Sequence, residues 1–450
     1  MSTALIILAA GQGTRMNSER PKVLHELAGV PLFAHALRAG TALGPERVVL
    51  VTGHGGADVE KAARALDPDI TTARQAEQNG TAHAVAQAQA ALDGFAGDVL
   101  VLYGDTPFLT PKTLEKMQQA RARADLVMLG FEASDPGRYG RMVVEGDRLE
   151  RIVEYKDANA AERAITLCNS GVLMAPAALL FELVAAVKND NAAGEYYLTD
   201  IVAIAAARDL RAMVVTCDEA ETLGINTRAE LAAAEAAFQA RARSAALDNG
   251  VAMAAPDSVI FALDTMVGRD ATIEPYVVFG PGVTVETGAR IRAFSHLEDA
   301  HVSRGAVVGP YGRLRPGTVL EEGAKVGNFV EIKNAQISAG AKVNHLSYVG
   351  DAFVGKAANI GAGSVTCNYD GVMKHHTHIG AGAFIGTGTY LVAPVSVGDD
   401  AMTATGTVVT QNVDDGAMAI ARSEMLIKPG LARRLFEKLN ARKKKQQESQ

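Results

Sequence analysis

Three places in the sequence carry side chains whose types and spacing could do chemistry. LAAGQGTRM, at 8–16, follows the apolar run ALIILAA at 4–10 directly. Gly11 and Gly13 would let backbone amides approach an anion, and Arg15 would add a charge-assisted contact. Lys22 follows in ERPKVL (19–24), QNGT (78–81) opens another helical stretch, and Asp105 closes LYGD at 102–105. A glycine-rich loop with cations close behind it suits the binding of a phosphate chain. The spacing matches neither a Walker A loop nor G-x-G-x-x-G, because residue 16 is Met. Taken alone, the glycine-rich stretch reads equally as a tight turn, and Asp105 as a strand-end turn residue.

The second place is His345 in KVNHLSYVGD, at 342–351. A positioned histidine is the common general base, although an isolated one is more often a surface or turn residue. The third is CNYDGVMKHHTH, at 367–378, which concentrates three of the chain's ten histidines and so invites a metal reading. Against that reading, histidine is a frequent polar filler of loops, and Asp370 alone stands near His375, His376 and His378 as a further ligand type.

The elements that must position these residues are of two kinds. Up to about residue 226, apolar runs at 4–10, 48–53, 98–103, 125–132, 171–175 and 212–216 alternate with amphipathic stretches at 31–43, 57–66, 81–92 and 111–122. That βαβ rhythm predicts a mostly parallel α/β sheet with ligands outside the carboxyl ends of its strands. The Ala-rich stretch 227–250 ends in Asn249 and Gly250 and reads as a linking helix.

From about 260 a large aliphatic or aromatic residue recurs every six positions: Val267, Ile273, Phe279, Val285, Ile291 and Leu297. One-residue slips precede Val302, Ile337 and Val354, the stretch from 367 breaks the pattern, and Ile379, Ile385, Leu391 and Val397 restore it. A helix with 3.6 residues per turn cannot keep such a period on one face, whereas a parallel β-helix of hexapeptide repeats does. Glycines at 268, 280, 282, 305, 309, 317, 323, 327 and 340 are expected at its corners. The period leaves the handedness open.

Composition narrows the setting. The 450 residues are 48% hydrophobic and 21% charged with a formal charge of −7, so two or three globular domains are expected and nucleic acid is not the expected partner. The basic run 442–445 reads as a solvated tail. Three scattered cysteines fit a reducing cytoplasm, and no apolar stretch is long enough for a membrane span.

Taken together, LAAGxGTRM, PKVLH, LYGD, YGR (139–141), EYKDA (154–158), CNSG (168–171) and GIN (224–226) resemble the sugar-1-phosphate nucleotidylyltransferases. Joined to hexapeptide repeats containing NHLSYVGD and NIGAGSVTCNYDG, they resemble the bacterial bifunctional N-acetylglucosamine-1-phosphate uridylyltransferase and glucosamine-1-phosphate acetyltransferase family. The resemblance covers all but the last dozen or so residues. It implies a Rossmann-like nucleotidyltransferase domain (1–226), a linking helix (227–250) and a left-handed β-helix acetyltransferase domain (251–450). It also implies a cytoplasmic homotrimer with active sites between subunits, feeding peptidoglycan and lipopolysaccharide synthesis.

The resemblance assigns residues as well. Leu8, Ala9, Gly11, Arg15 and Lys22 would hold the nucleotide and its phosphates, Gln75, Gly80 and Thr81 the uracil of UTP, with Tyr103 close by. Asp105 and Asn226 would carry Mg²⁺, and Gly140, Glu154, Asn169 and Thr199 the acetylated sugar. His345 would be the base of acetyl transfer, with Arg315, Lys333, Tyr348, Asn359 and Lys374 on glucosamine 1-phosphate. Acetyl-CoA would touch Ala362, Asn368, Tyr369, Thr387, Thr405, Arg422 and Lys428. Gln12 stands where the family often has Lys, and Thr387 and Thr405 where smaller Ser and Ala are expected. Two other readings are a nucleotidyltransferase whose β-helix only oligomerises or regulates, and a β-helix serving as an ice-facing array. The array reading lacks ranked Thr-x-Thr faces, since TATGT at 403–407 stands by itself.

Overall fold

The computed structural model describes residues 2–448. They form two compact units, one running through Ser244 together with Phe261–Leu263, the other comprising Ala245–Ile260 and the chain from Asp264 onward.

The first unit is an α/β sheet. Its strands are β1 (Thr3–Ala9), β2 (Arg47–Thr52), β3 (Thr71–Arg74), β4 (Asp98–Tyr103), β5 (Leu126–Glu132), β6 (Arg141–Glu145), β7 (Arg148–Val153), β8 (Leu167–Pro176) and β9 (Ala212–Cys217). The spatial order is β9-β5-β8-β4-β1-β2-β3, with the hairpin β6–β7 attached to β8. All neighbours along that order are parallel except β8, which runs antiparallel to both β4 and β5. β1 is buried at every residue, as befits a central strand covered on both faces. Helices α1 (Leu32–Thr41), α2 (Gly56–Leu66), α3 (Thr81–Ala86), α4 (Pro111–Ala120), α5 (Ala177–Ala186) and α6 (Asp200–Ala207) accompany it. They divide the core into two clusters, one around Ile6, Val101 and Leu180, the other around Leu5, Leu102 and Leu114.

The helix α7 (Arg228–Asp248) starts on a reciprocal cap. Thr227 Oγ1 accepts from Glu230 N at 3.1 Å, while Glu230 Oε2 accepts from Thr227 N at 3.0 Å. The boundary between the two units falls inside this helix.

The second unit is a β-helix of short parallel strands stacked in three columns. From Ile273 to Val397 the six-spaced residues are all buried, pointing into the shaft, while Val267 is half-buried. The one-residue slips have a common cause. Asp299, Asn334 and Asp351, at φ 40°, 44° and 49°, turn the same corner one residue early in three of four stacked coils; in the remaining one Pro316 and Gly317 keep the full spacing. Six of the nine glycines expected at corners have positive φ; Gly268, Gly280 and Gly327 do not. These three serve close approach instead: a methyl on Gly327 would collide with the carbonyl of Asn344 on the next coil.

The apolar period also continues one step further than the sequence pattern implies. Thr366 occupies the inward position, is buried, and its hydroxyl lies 2.8 Å from Gly350 N and 3.0 Å from Gly350 O. The chain leaves the shaft only after Cys367 and returns at Thr377. A final helix, α8 (Leu431–Glu448), follows the last coil.

Candidate functional site

At the carboxyl ends of β1 and β4 the first unit opens a cavity of about 660 Å³. Its lining includes Leu8, Ala9, Gly11, Lys22, Gln75, Gly80, Thr81, Tyr103 and Asp105, nine of the residues singled out from sequence. The glycine-rich loop turns through Gly13 at φ 64°, where a methyl would press on Lys22 Cβ at 2.5 Å. At Gly80, φ 111°, a methyl would lie 2.5 Å from the Tyr196 carbonyl, so backbone meets backbone beside the cavity.

Asp105 and Asn226 are 121 positions apart in sequence yet are held together, because Ile225 N donates to Asp105 O at 3.0 Å. Asn226 is fixed from the other side by Glu230, which accepts its amide at 2.6 Å. The Lys22 ammonium is ion-paired with Asp105 and donates to Asn226 Oδ1 at 3.1 Å. Arg15 Nη2 donates to the same Asn226 oxygen at 2.9 Å. Two side-chain oxygens thus converge on a cation.

Arg15, Gly140, Glu154, Asn169, Thr199 and Asn226 lie outside the cavity lining. Four of them form a group of their own. Thr199 Oγ1 donates to Glu154 Oε1 at 3.2 Å, and Asn169 N to Gly140 O at 2.9 Å. Burial raises the Glu154 carboxyl above the usual range, opposed by the Thr199 hydrogen bond. Tyr103 joins this group to the cavity: burial raises its phenol, followed by the Asp105 and Glu154 carboxylates, while a hydrogen bond with Thr81 opposes them.

On the β-helix, His345 ends one strand at an exposed corner. The Asn328 side chain on the preceding coil is paired with it, Oδ1 to Nδ1 at 2.8 Å, and the two residues are register partners. An amide oxygen only accepts, so Nδ1 is the donor of this pair and Nε2 is the ring nitrogen turned away from it.

Below His345 the coils stack a single column. Gly363 N donates to His345 O (3.2 Å), Gly388 N to Ala362 O (2.8 Å) and Gly406 N to Thr387 O (2.9 Å). Arg422 Nη1 then donates to Thr405 O at 3.1 Å. His345, Ala362, Thr387, Thr405 and Arg422 therefore mark one track down the shaft. Asn359 lies in the same sheet as His345, opposite Lys342.

Arg315, Lys333, Tyr348, Lys374, Asn368 and Tyr369 belong to another side of the shaft. Arg315 pairs with Glu331 at 2.8 Å, and Glu331 faces Tyr348 in register. Lys333 and Lys374 line a second cavity of about 650 Å³ with Asp351. Lys374 beside it holds the Lys333 ammonium below its usual range. Asp351 accepts from Asn368 and, at 2.7 Å, from Asn334 Nδ2. Lys428 is exposed just before α8, where its carbonyl accepts from Leu431 N at 3.2 Å.

A family model described as a MobA-like NTP transferase domain matches residues 5–218. The bifunctional protein GlmU of Jannaschia sp. (strain CCS1) is 62% identical over 438 residues, 97% of this chain and 96% of that protein. The bifunctional protein GlmU of Dinoroseobacter shibae (strain DSM 16493 / NCIMB 14021 / DFL 12) is 66% identical over 444 residues, 98% and 99% of the two chains. The chain belongs to the GlmU family. Its two activities are those of a uridylyltransferase and an acetyltransferase of UDP-N-acetylglucosamine synthesis. Among solved structures, UDP-glucose pyrophosphorylase complexed with UDP-glucose aligns with 54% of this chain and 100% of its own, at 20% identity and TM-score 0.45.

For this member of the GlmU family, one carboxylate and one carboxamide oxygen gathered on a cation fit a hard divalent ion that keeps waters and phosphate oxygens as further ligands. Gln12, where GlmU relatives were expected to carry Lys, donates to Gln78 Oε1 at 2.7 Å, and Gln78 Nε2 donates to Ala10 O at 3.2 Å. A neutral amide clasp therefore stands at the rim. Sequence reading missed Gln78, Glu230, Asn328 and Asp351. For Asn328 a signal existed, since it stands 17 positions before His345, one coil length.

The histidines of the 367–378 stretch do not converge. His378 stacks on Phe353 at 4.9 Å, whereas His375 reaches Asp370. Among the described residues, no group of three or more His, Cys, Asp or Glu side chains is gathered as metal ligands. No helix among them is long and apolar enough to cross a membrane.

Proposed function

We propose that the two activities are carried by the two sites built above, one in each unit. The observation that supports this most directly is the pair of independent constellations: cations and a carboxylate around the glycine-rich loop, and an oriented histidine heading a track to Arg422.

At the first site, a phosphate oxygen of N-acetylglucosamine 1-phosphate attacks the α-phosphorus of UTP. The bond to the bridging oxygen breaks and pyrophosphate leaves. The nucleophile is an anion, so no protein base is needed. Arg15 and Lys22 neutralise the triphosphate, Gln75, Gly80 and Thr81 hold the uracil, and the backbone of Leu8, Ala9 and Gly11 lines the nucleotide. Glu154, Asn169, Thr199 and Gly140 hold the sugar. Asp105 and Asn226 hold Mg²⁺, which when bound supplies charge neutralisation on the phosphates.

At the second site, the amine of glucosamine 1-phosphate attacks the thioester carbonyl of acetyl-CoA. His345 Nε2 takes the amine proton, the C–S bond breaks, and CoA departs as the thiolate. Arg315, Lys333 and Lys374 bind the sugar phosphate with Tyr348 and Asn359. Ala362, Asn368, Tyr369, Thr387 and Thr405 line the cofactor, with Arg422 and Lys428 on its phosphates. Because the histidine track and the lysine cavity lie on different sides of one shaft, this reading takes the assembly to be a homotrimer of left-handed β-helices that pairs one protomer's track with its neighbour's cavity.

Acetylation comes first and uridylylation second, in the cytoplasm, by domains at 1–226 and 251–450 joined by the helix at 227–250. The test is a thiol-release assay with acetyl-CoA and glucosamine 1-phosphate, beside a pyrophosphate assay with UTP and N-acetylglucosamine 1-phosphate. Absence of CoA release would leave the β-helix without the proposed chemistry.

A further inference from the structure

Neither transfer reaction absorbs the histidines at 375 and 376. His376 and His375 line the same cavity as Lys333, Asn334, Asp351 and Lys374. The loop that brings them there is built on Asp370. Asp370 Oδ1 accepts from Val372 N at 2.8 Å and from Met373 N at 2.7 Å, while Oδ2 lies 2.7 Å from His375 Nε2. His375 N donates to Asn368 O at 2.8 Å, and Tyr369 and Lys374 face each other as an antiparallel bridge. One carboxylate therefore ties the turn to the returning limb of a narrow hairpin. The His375 contact and then the two amides hold that carboxyl well below its usual range.

The tie has something to resist. Lys374 is carried on the returning limb, close enough to Lys333 to hold that ammonium below its usual range. Two like charges facing each other favour swinging the hairpin out until a dianion joins them. Facing His375 are Asp370, Lys374 and His376 of the loop, and Lys333 and Asp351 from the coils.

We propose that His375 is a positioning residue of the acetyl-transfer site: clasped to Asp370, it sets the hairpin that holds Lys374 over the sugar phosphate, and its protonation strengthens phosphate binding. The proposal rests on the reading of Lys333 and Lys374 as phosphate-binding residues. Imidazole to carboxylate becomes a charge-assisted bond when the ring is protonated, and the added positive charge faces the phosphate. Both effects act in the same direction.

The experiment measures kcat and KM for glucosamine 1-phosphate by CoA release at saturating acetyl-CoA, at about pH 6 and about pH 8. Wild type is compared with His375→Ala and His375→Gln, and uridylyl transfer and melting temperature report the fold. His375→Ala is expected to raise KM about ten-fold with kcat changed less than about two-fold, a loss of binding rather than of chemistry. His375→Gln keeps a donor to Asp370 but takes no charge. It is expected to match wild type near pH 8 and to fall behind by about three-fold in KM near pH 6. A KM unmoved by His375→Ala, or wild type and His375→Gln moving in parallel with pH, overturns the proposal. Should His375→Ala melt early, the glutamine comparison decides. A wild-type chain that turns over while the variants match it defeats only this proposal. One that releases no CoA defeats the proposed acetyl-transfer site, and this proposal with it.

Discussion

Asn328 shows how a residue without chemistry of its own controls one that has it. Its carboxamide oxygen, 2.8 Å from His345 Nδ1, holds the ring so that Nε2 is the atom the proposed acetyl transfer would use as base. Asn328→Ala is expected to lower kcat for acetyl transfer by about ten- to a hundred-fold, measured by CoA release, with uridylyl transfer untouched. Asn328→Asp keeps the contact and adds a carboxylate that stabilises the imidazolium, so the acid limb of the pH profile should move to higher pH. Glu154 gives a second test at this scale. Its folded carboxyl is raised by burial. The stability of the protonated form is therefore present below the ordinary carboxylate range and is lost as pH rises through the raised value. Glu154→Gln is expected to raise the melting temperature by about 2 °C near pH 8, and by less near pH 4, while weakening uridylyl transfer. Lys22, Asp105 and Asn226 were legible because each stands in its own short motif. Gln78 was not, since its partner Gln12 is 66 positions away and nothing in either segment announces the pairing.

The elements divide in the same way. The coils of the β-helix announced themselves because every sixth side chain points into the shaft, once from each of its three columns, and a period of six has no competing explanation. Thr366 was hidden by its hydroxyl: a polar residue holds the inward position because Gly350 satisfies it. Helices α5 and α6 were missed because AALLFELVAA and DIVAIAAA are apolar nearly all round and leave no 3.6-residue alternation to read. Strand β3, TTAR at the sheet edge, has no apolar run at all. Gly327 yields the prediction proper to this scale. A methyl there collides with the backbone of the next coil, immediately before the strand end that carries His345. Gly327→Ala is expected to destabilise the β-helix by about 3 kcal/mol or more in denaturant unfolding and to abolish acetyl transfer, with the α/β unit retaining its nucleotide chemistry.

Over the whole molecule, two kinds of sequence make two kinds of architecture, and on the proposed reading each carries a chemistry suited to it. A parallel sheet offers strand ends around which cations and a metal gather on a triphosphate. A β-helix offers a rigid face on which a base and a long cofactor track keep register. The two sets of residues share no member, so the chain's bifunctionality should be separable by single substitutions. The most direct measurement is a paired assay of CoA release and pyrophosphate release on wild type, Asp105→Ala and His345→Ala. Each substitution is expected to remove its own activity, by about a hundred-fold or more, and to leave the other within about two-fold. Loss of both activities in either variant, or persistence of CoA release in His345→Ala, would contradict the assignment of one independent active site to each unit.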